Sequence, residues 1–319
     1  MTKLVVMIPA ENEEANIHGV ITGVPREIRG VGSVNVLVID DGSTDGTSRA
    51  AKKAGADKIV RFDENIGLAK AFKKGLETAL EMGADVIVNI DADGQYDGGE
   101  IPKLIKPVVG SGMDMVLGIR NIDELDDMPI GKLIGNKIAT FVTRAFSGFP
   151  VSDAQTGFRA FSREAALRLN IVSDKTYVHE TIIEARVKGM KIAEVPITFR
   201  RRRGKSRLIH NIYSYATKEG ITMLKTYRDY NPMEFFGLVG AFVFGIGLVL
   251  MIGGAFGYVS GLARDTFLLL PLALIGIGAL TVLHGFLLSR SDNKRVMAEE
   301  KSYQERKRRL EKKSAGGKE

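Results

Sequence analysis

The sequence predicts an α/β domain built on a mainly parallel sheet, followed by a two-helix membrane hairpin. Three observations carry that reading. Over the first 120 residues, four short apolar runs alternate with helical patterns, and strands that are apolar throughout belong to parallel sheets covered on both faces. Two later runs, Phe235 to Tyr258 and Thr266 to Leu288, are each long enough to cross a hydrocarbon core of about 30 Å. The 319 residues leave room for about two domains of ~150 residues.

The elements follow in order. Leu4 to Ile8 is an apolar run stopped by Pro9, and Val34 to Ile39 a second, stopped by Asp40-Asp41-Gly42. Asp57 to Phe62 and Asp85 to Ile90 make a third and a fourth. Between them lie helical patterns at Glu14 to Val24, Ser43 to Gly55 and Gly67 to Met82, the second capped by Ser43 or Thr44. Ligands of such sheets bind beyond the carboxyl ends of the strands. Those ends read Pro9-Ala10-Glu11-Asn12-Glu13, Asp40-Asp41-Gly42-Ser43-Thr44-Asp45 and Asp91-Ala92-Asp93-Gly94-Gln95. In a strand continuing past Ile90, Asp91 and Asp93 project to one side. Two hard oxygen donors there suit Mg²⁺ or Mn²⁺ that takes its other ligands from a diphosphate and water. The bland alternative is an Asp-rich turn capping the next helix. Neither Gly-x-Gly-x-x-Gly after the first strand nor Gly-x-x-x-x-Gly-Lys-Ser/Thr occurs, which disfavours a dinucleotide dehydrogenase and a P-loop NTPase.

Charge separates the chain into parts. The formal net charge is +7, yet residues 1–199 hold 24 Lys/Arg against 28 Asp/Glu, a net of −4. That body repels phosphate backbones and speaks against a nucleic-acid partner. The basic excess sits in residues 200–230, with 9 against 2, and in residues 289–319, with 11 against 6. It brackets the two apolar runs, whose only charges are Arg264 and Asp265 in the connecting turn. Gly253, Gly257 and Gly261 fall at helix-packing spacing. By the positive-inside rule, both termini and the large domain face the cytoplasm of a multi-pass cell-membrane protein. Met1 leads straight into a strand, so no signal peptide is expected. Zero Cys excludes thiolate chemistry. The domains expected are 1–205 catalytic, 206–232 juxtamembrane amphipathic helices, 233–289 two transmembrane helices (about 235–258 and 266–288) and 290–319 a basic cytoplasmic tail.

Four blocks in order carry a resemblance: Pro9-Ala10-x-Asn12-Glu13, Val38-Ile39-Asp40-Asp41-Gly42-Ser43-x-Asp45-Gly46-Thr47, Asn65-x-Gly67-x-x-Lys70-Ala71 and Asp91-Ala92-Asp93-Gly94-Gln95. They resemble family 2 glycosyltransferases with the Rossmann-like GT-A fold. Gly118-Ile119-Arg120, Leu133-x-Gly135-Asn136-Lys137, Asp153 to Ala160 and Val195-Pro196-Ile197-x-Phe199 with Arg200 to Arg207 resemble the dolichyl-phosphate mannose and polyprenyl-phosphate glucose synthases. The resemblance implies metal-dependent, inverting transfer of a hexose from GDP-mannose or UDP-glucose to dolichyl or polyprenyl phosphate. It implies Asp91, Asp93 and Gln95 at the Mg²⁺ or Mn²⁺, and Pro9, Glu11, Glu13, Ile39, Asp41 and Ala92 along the donor. Arg120 and Lys132 are the candidates for the acceptor phosphate, with Arg202, Arg203 and Lys205 closing over the donor or the lipid headgroup. No strong general base is required, because the acceptor phosphate has a second pKa of ~6 and is already largely dianionic. Two positions depart from the family pattern, which often has an aromatic residue at Glu11 and Arg at Lys132.

The remaining features take plainer readings. Arg200 to Arg207 is either a donor clamp or a juxtamembrane anchor for anionic lipid. His179-Glu180 reads as a polar helix start, His284 as a helix-packing residue, and Asp123 to Asp127 as a solvated loop. The tail from Ser291 reads as a helix ending in a disordered Ser314 to Gly317, near the membrane or a partner. The alternatives are a dolichyl-phosphate N-acetylglucosamine synthase using UDP-N-acetylglucosamine and a non-catalytic membrane-tethered scaffold. A homo-oligomer is compatible with either. A processive transferase is disfavoured because the chain has no Trp for a Gln-x-x-Arg-Trp motif.

Overall fold

The computed structural model describes residues 1–120, 130–172, 176–200, 221, 224–225, 227–255 and 264–316. Its contacts divide into two compact units, Met1–Met223 with Ser302–Glu319, and Leu224–Lys301.

The first unit carries seven strands, β1 (Thr2–Ala10), β2 (Val31–Asp40), β3 (Lys58–Arg61), β4 (Val86–Asn89), β5 (Met115–Arg120), β6 (Arg159–Ser162) and β7 (Ile192–Ile197). They form one sheet in the order β3-β2-β1-β4-β6-β5-β7. All neighbours are parallel except β6, which runs antiparallel to both β4 and β5. Alternation along the strands sends Val5, Met7, Leu37, Ile39 and Ile87 to one face, against Phe72, Leu76 and Leu80 of α3 (Leu68–Glu81). Leu4, Val6, Ile8, Val36, Val38 and Val88 go to the other, against α1 (Glu14–Thr22) and α4 (Ile101–Ser111). Each such side chain contributes about 1.5–3 kcal/mol by leaving water, so covering both faces fixes the layers.

The strand order places the site. From β1 the chain winds outward through β2 and β3, then returns to set β4 on the opposite side of β1. The reversal opens a crevice at the carboxyl ends of β1 and β4, where open α/β sheets bind ligands.

One boundary differs from the expectation. The helix expected from Ser43 is α2 (Thr47–Lys53), with Gly46 at its N-cap. The Ser43 N–H bonds Asp40 Oδ1 at 2.8 Å, and the N–H groups of Thr44 and Asp45 bond Asn12 Oδ1 at 2.8 and 3.3 Å. Those donors are held by neighbouring loops instead of entering a helix. Three further helices complete the domain: α5 (Ile130–Ser147), α6 (Arg163–Arg168) and α7 (Val178–Val187).

The second unit is built on α8 (Pro232–Ala255) and the first part of α9 (Arg264–Gly316). Each contains a 22-residue segment long and apolar enough to cross a membrane, Pro232–Gly253 and Leu269–Arg290. The helices approach closely at glycines other than the expected one. A Cβ at Gly240 would meet the Gly278 carbonyl at 2.6 Å, and one at Gly285 would meet Phe236 Cβ at 2.7 Å, whereas Gly253 faces open space. Gly257 and Gly261 lie outside the described residues. His284 packs edge-on to Phe236, with ring centroids 5.0 Å apart.

The C-terminal segment departs most from expectation. Helix α9 runs through Ser314 to Gly316, and from Ser302 onward it belongs to the first unit. Tyr303 is 7% exposed within the α3-side core, and its hydroxyl donates to Glu164 Oε1 of α6 at 2.9 Å. Leu310 packs on the same cluster, Arg306 donates to the Leu169 carbonyl at 2.9 Å, and Lys313 pairs with Glu81 of α3 at 2.9 Å. Tyr, Arg, Leu and Lys at positions 303, 306, 310 and 313 lie on one helical face, so this segment adheres to the domain as an added helix.

Candidate active site

The Asp91 to Gln95 segment sits at the carboxyl end of β4 as a turn. The strand does not continue to Asp93 as expected. It ends at Asn89, Gly94 adopts φ +73°, and the Gln95 N–H bonds Asp93 Oδ1 at 3.1 Å, so the side chain closes its own turn. The Asp91 carboxylate lies against the backbone of Gly157, where a Cβ would fall 2.5 Å from Oδ1 and 2.8 Å from Cγ. Around it is a buried polar set. Asn89 donates from Nδ2 to the Gly157 carbonyl at 2.7 Å and to the Tyr177 hydroxyl at 2.9 Å, and the Gly157 N–H bonds the Tyr96 hydroxyl at 3.1 Å. Burial, with Asp91 and Asp153 adding to it against the pull of Arg120, pushes the Tyr96 pKa up to about 12. The hydroxyl therefore stays protonated at neutral pH. Among the described residues no three His, Asp or Glu side chains group closely enough to hold a metal by themselves.

The β1 and β2 loops are laced together beside this turn. Asn12 adopts φ +52°, and its Oδ1 accepts from the backbones of Thr44 and Asp45. The Glu14 carboxylate accepts from the Gly46 N–H at 2.9 Å. Asp40 is fully buried and accepts from the Ser43 backbone and the Ser48 hydroxyl. Asp41 receives the N–H groups of Ile66 and Gly67 at 2.8 and 3.1 Å. Both carboxylates thus order the loops that border the crevice.

Two buried arginines lie on the β5 and β6 side. Arg120, at the end of β5, makes a two-pronged ion pair with Asp153, Nε to Oδ2 at 2.6 Å and Nη2 to Oδ1 at 2.8 Å. Its side chain is 10% exposed and Asp153 is wholly buried. Burial disfavours the charge, but Tyr96, Asp153 and Asp91 outweigh it and hold the Arg120 pKa above its ordinary value. The guanidinium also stands over the Phe199 ring, 5.0 Å from the centroid. Arg159, fully buried, bonds the carbonyls of Thr156, Val178 and Ala154 and the Thr181 hydroxyl at 2.6–3.0 Å. On the first turn of α7, His179 Nδ1 lies 2.8 Å from the Thr143 hydroxyl of α5, and burial with the nearby Arg159 charge lowers its pKa to about 3.

This architecture agrees with the comparisons. The family model for glycosyl transferase family 2 matches residues 5–169, just over half of the chain. The protein is a family 2 glycosyltransferase. Its sheet and helices are those of the GT-A fold. A glycosyltransferase of Haloferax volcanii, AglJ, is 30% identical over 311 residues, covering 91% of this chain and 96% of the relative. The UDP-N-acetylglucosamine–dolichyl-phosphate N-acetylglucosaminyltransferase of Methanococcus voltae is 33% identical over 215 residues, 60% of this chain and 83% of that one. The polyprenol monophosphomannose synthase of Mycolicibacterium smegmatis is 30% identical over 211 residues, 63% and 78%. A solved structure of Mycobacterium tuberculosis glucosyl-3-phosphoglycerate synthase, in complex with Mn²⁺, UDP and phosphoglyceric acid, aligns with TM-score 0.58 at 23% identity. That alignment covers 71% of this chain and 78% of the other.

Within the family 2 transferase, the expected site residues are distributed unevenly. Glu11 is exposed and Glu13 half-buried at the end of β1, beside the Asp91 to Asp93 turn that follows β4. Ala92 is buried in that turn. Pro9 and Ile39 are buried strand residues, and the Ile39 side chain belongs to the core under α3. Gln95 donates from Nε2 to the Arg200 carbonyl at 3.3 Å, next to the Tyr96–Phe199 bridge, and Arg200 pairs with Asp97. Lys132 stands in the first turn of α5, whereas Arg202, Arg203, Lys205 and the acidic stretch 123–127 lie outside the described residues. In the sequence, Asp153, Gly157 and Arg159 stand out only as parts of a motif, and Asn89 and Tyr96 carry no signal of their own. The available signal was Arg159 itself, a charge inside the apolar run Phe158-Arg159-Ala160-Phe161, which requires a dedicated set of partners when buried.

Proposed function

We propose that this transferase moves one hexose, or N-acetylhexosamine, from a nucleotide diphosphate sugar to dolichyl or polyprenyl phosphate, with inversion at the anomeric carbon. The observation that carries the reading is the Asp91 to Asp93 turn at the strand-order reversal, in a chain with two membrane-length helices and relatives named for dolichyl-phosphate and polyprenol-phosphate sugars. GDP-mannose and UDP-glucose are the donors favoured by motif, and UDP-N-acetylglucosamine is the alternative that the Methanococcus relative supports.

The residues fit a divalent cation. Asp91 and Asp93 are hard oxygen donors, and glycine at position 157 leaves room for the Asp91 carboxylate, which a Cβ there would meet at 2.5 Å. These two carboxylates would hold Mg²⁺ or Mn²⁺, with Gln95 beside them, and the cation would neutralise charge on the leaving diphosphate. The chain's own groups do the rest. Pro9, Glu11, Glu13 and Asp41 border the nucleoside. Lys132 would bring positive charge to the acceptor phosphate, and Arg120, paired with Asp153, would bring a held hydrogen-bond donor. Arg202 and Lys205 would close over the donor, and no residue is needed to deprotonate an acceptor that is already dianionic. Catalysis is then mostly positioning and charge neutralisation of two mutually repelling phosphates. The two apolar helices would anchor the domain on the cytoplasmic face of the membrane, their basic flanks meeting anionic headgroups.

Incubating the purified protein with each labelled donor, with and without dolichyl phosphate, tests this. Label is expected in lipid extract with one donor only, and Asp93→Asn is expected to abolish it. Label found on protein or on a growing glycan, or none with any donor, would refute the proposal.

A further inference from the structure

Gly157 is held in an unusual way. Its N–H and its carbonyl are both bonded by side chains, Tyr96 and Asn89, at 3.1 and 2.7 Å. Those two side chains flank the Asp91 to Asp93 turn on either side in sequence. The two peptide units that meet at Gly157 are therefore tied to the front and the back of the segment that carries the acidic pair. Arg159 secures the backbone leading into Gly157, since its Nε bonds the Thr156 carbonyl of the 156–157 peptide at 2.8 Å and its Nη2 the Ala154 carbonyl at 3.0 Å. Its strand partner across the β4–β6 ladder is Asn89. All four residues are buried, and the Asp91 carboxylate rests on the one backbone position in this set without a side chain.

We infer that the Thr156 to Arg159 segment is a template that aims the Asp91 carboxylate, with Gly157 as its floor and Arg159 as the positioning residue that fixes the floor. The inference rests on the reading of Asp91 as a metal holder. Gly157 does not have a positive φ, so alanine meets no backbone obstacle there. What it meets is Asp91, whose carboxylate must turn away.

The test uses the full-length protein in detergent, titrated calorimetrically with Mn²⁺ in the presence of UDP and, separately, of GDP. Groups that orient a metal ligand without touching the metal are worth about 10–100-fold in metal affinity. Gly157→Ala is expected to lower apparent Mn²⁺ affinity about tenfold or more, while metal-free nucleotide affinity stays within about twofold and the melting midpoint within about 3 °C. Arg159→Lys, which keeps the charge and loses the planar fork, is expected to show the same split more weakly. If Gly157→Ala fails to fold, Tyr96→Phe, which removes only the hydroxyl on the Gly157 N–H, takes its place with the same expectation. Unchanged Mn²⁺ affinity in these variants, with affinity lost in Asp91→Asn, would overturn the template while leaving the metal reading intact. Unchanged affinity in Asp91→Asn would overturn both.

Discussion

Asp153 is buried, and its carboxylate is shared between two prongs of Arg120 at 2.6 and 2.8 Å. Asp153→Asn keeps the shape and one acceptor oxygen but leaves the guanidinium without its counter-charge. Removing one partner of a buried ion pair costs about 3–5 kcal/mol, and the retained acceptor places this variant near ~3 kcal/mol. A domain of roughly 200 residues shifts its melting midpoint by about 2–4 °C per kcal/mol, so a fall of about 6–12 °C is expected. The assay is thermal unfolding of full-length protein in detergent, extended to a cycle with Arg120→Met and the double variant Arg120→Met/Asp153→Leu. The double variant should melt above Asp153→Leu alone, because an apolar pair of similar volume strands no charge. Additive losses in that cycle, or an Asp153→Asn midpoint within about 2 °C of wild type, would refute the claim that the two groups are coupled in a desolvated site.

Three further outcomes follow from the same geometry. Tyr303→Ala empties a buried aromatic position and removes the bond to Glu164. It should cost about 3 kcal/mol and speed hydrogen exchange in α6, and exchange unchanged in α6 would mean that the C-terminal helix does not adhere in solution. Asn12→Ala withdraws the acceptor of the Thr44 and Asp45 N–H groups, so nucleotide affinity should fall about tenfold as the β2 loop loosens, with Asn12→Gly failing to restore it. His179 has a folded pKa of about 3 against 6.5 in the unfolded chain. The unfolded chain therefore takes up a proton below about pH 6.5 that the folded chain refuses until about pH 3, and stability falls as pH drops through that window. About 2 kcal/mol should be lost by pH 5 through this residue, and His179→Gln should flatten the slope of denaturant midpoint against pH.

Most of the sheet was legible because parallel strands must be apolar on both faces, which leaves an unbroken signature such as Leu4 to Ile8 or Val34 to Ile39. The ends of these runs then exposed the loops that form the crevice. Less legible was what each carboxylate does there. Asp40, Asp41 and Asp93 share a letter and a neighbourhood with Asp91, yet they accept backbone N–H groups from loops 2 to 26 residues away. Spacing within its own run could not show what Asp41 holds, because its donors come from the loop before α3. The helix starts four residues after Ser43 because the first donors are satisfied by Asp40 within the same loop and by Asn12 of the β1 loop. The adhering segment beyond Ser302 was hidden by its composition. Its exposed face is rich in Lys and Arg, while a single stripe from Tyr303 to Lys313 makes the contact.

The ion pair also changes how positive charge is divided in the site. As a sequence feature, Arg120 was a cation open to an acceptor phosphate, but with two nitrogens committed to Asp153 it contributes little net charge at that edge. Nη1 has no hydrogen-bond partner among the described residues, so in the proposed mechanism a phosphate oxygen would meet a single donor held by the pair and by Phe199. A rigid single donor orients an oxygen without trapping the dianion. In that mechanism, neutralising two negative charges would then fall to cations outside this pair, Lys132 being the one proposed. Within the proposed mechanism the division has kinetic consequences. Lys132→Ala should raise the KM for the lipid phosphate, while Arg120→Lys, which loses the fork and keeps the charge, should lower kcat.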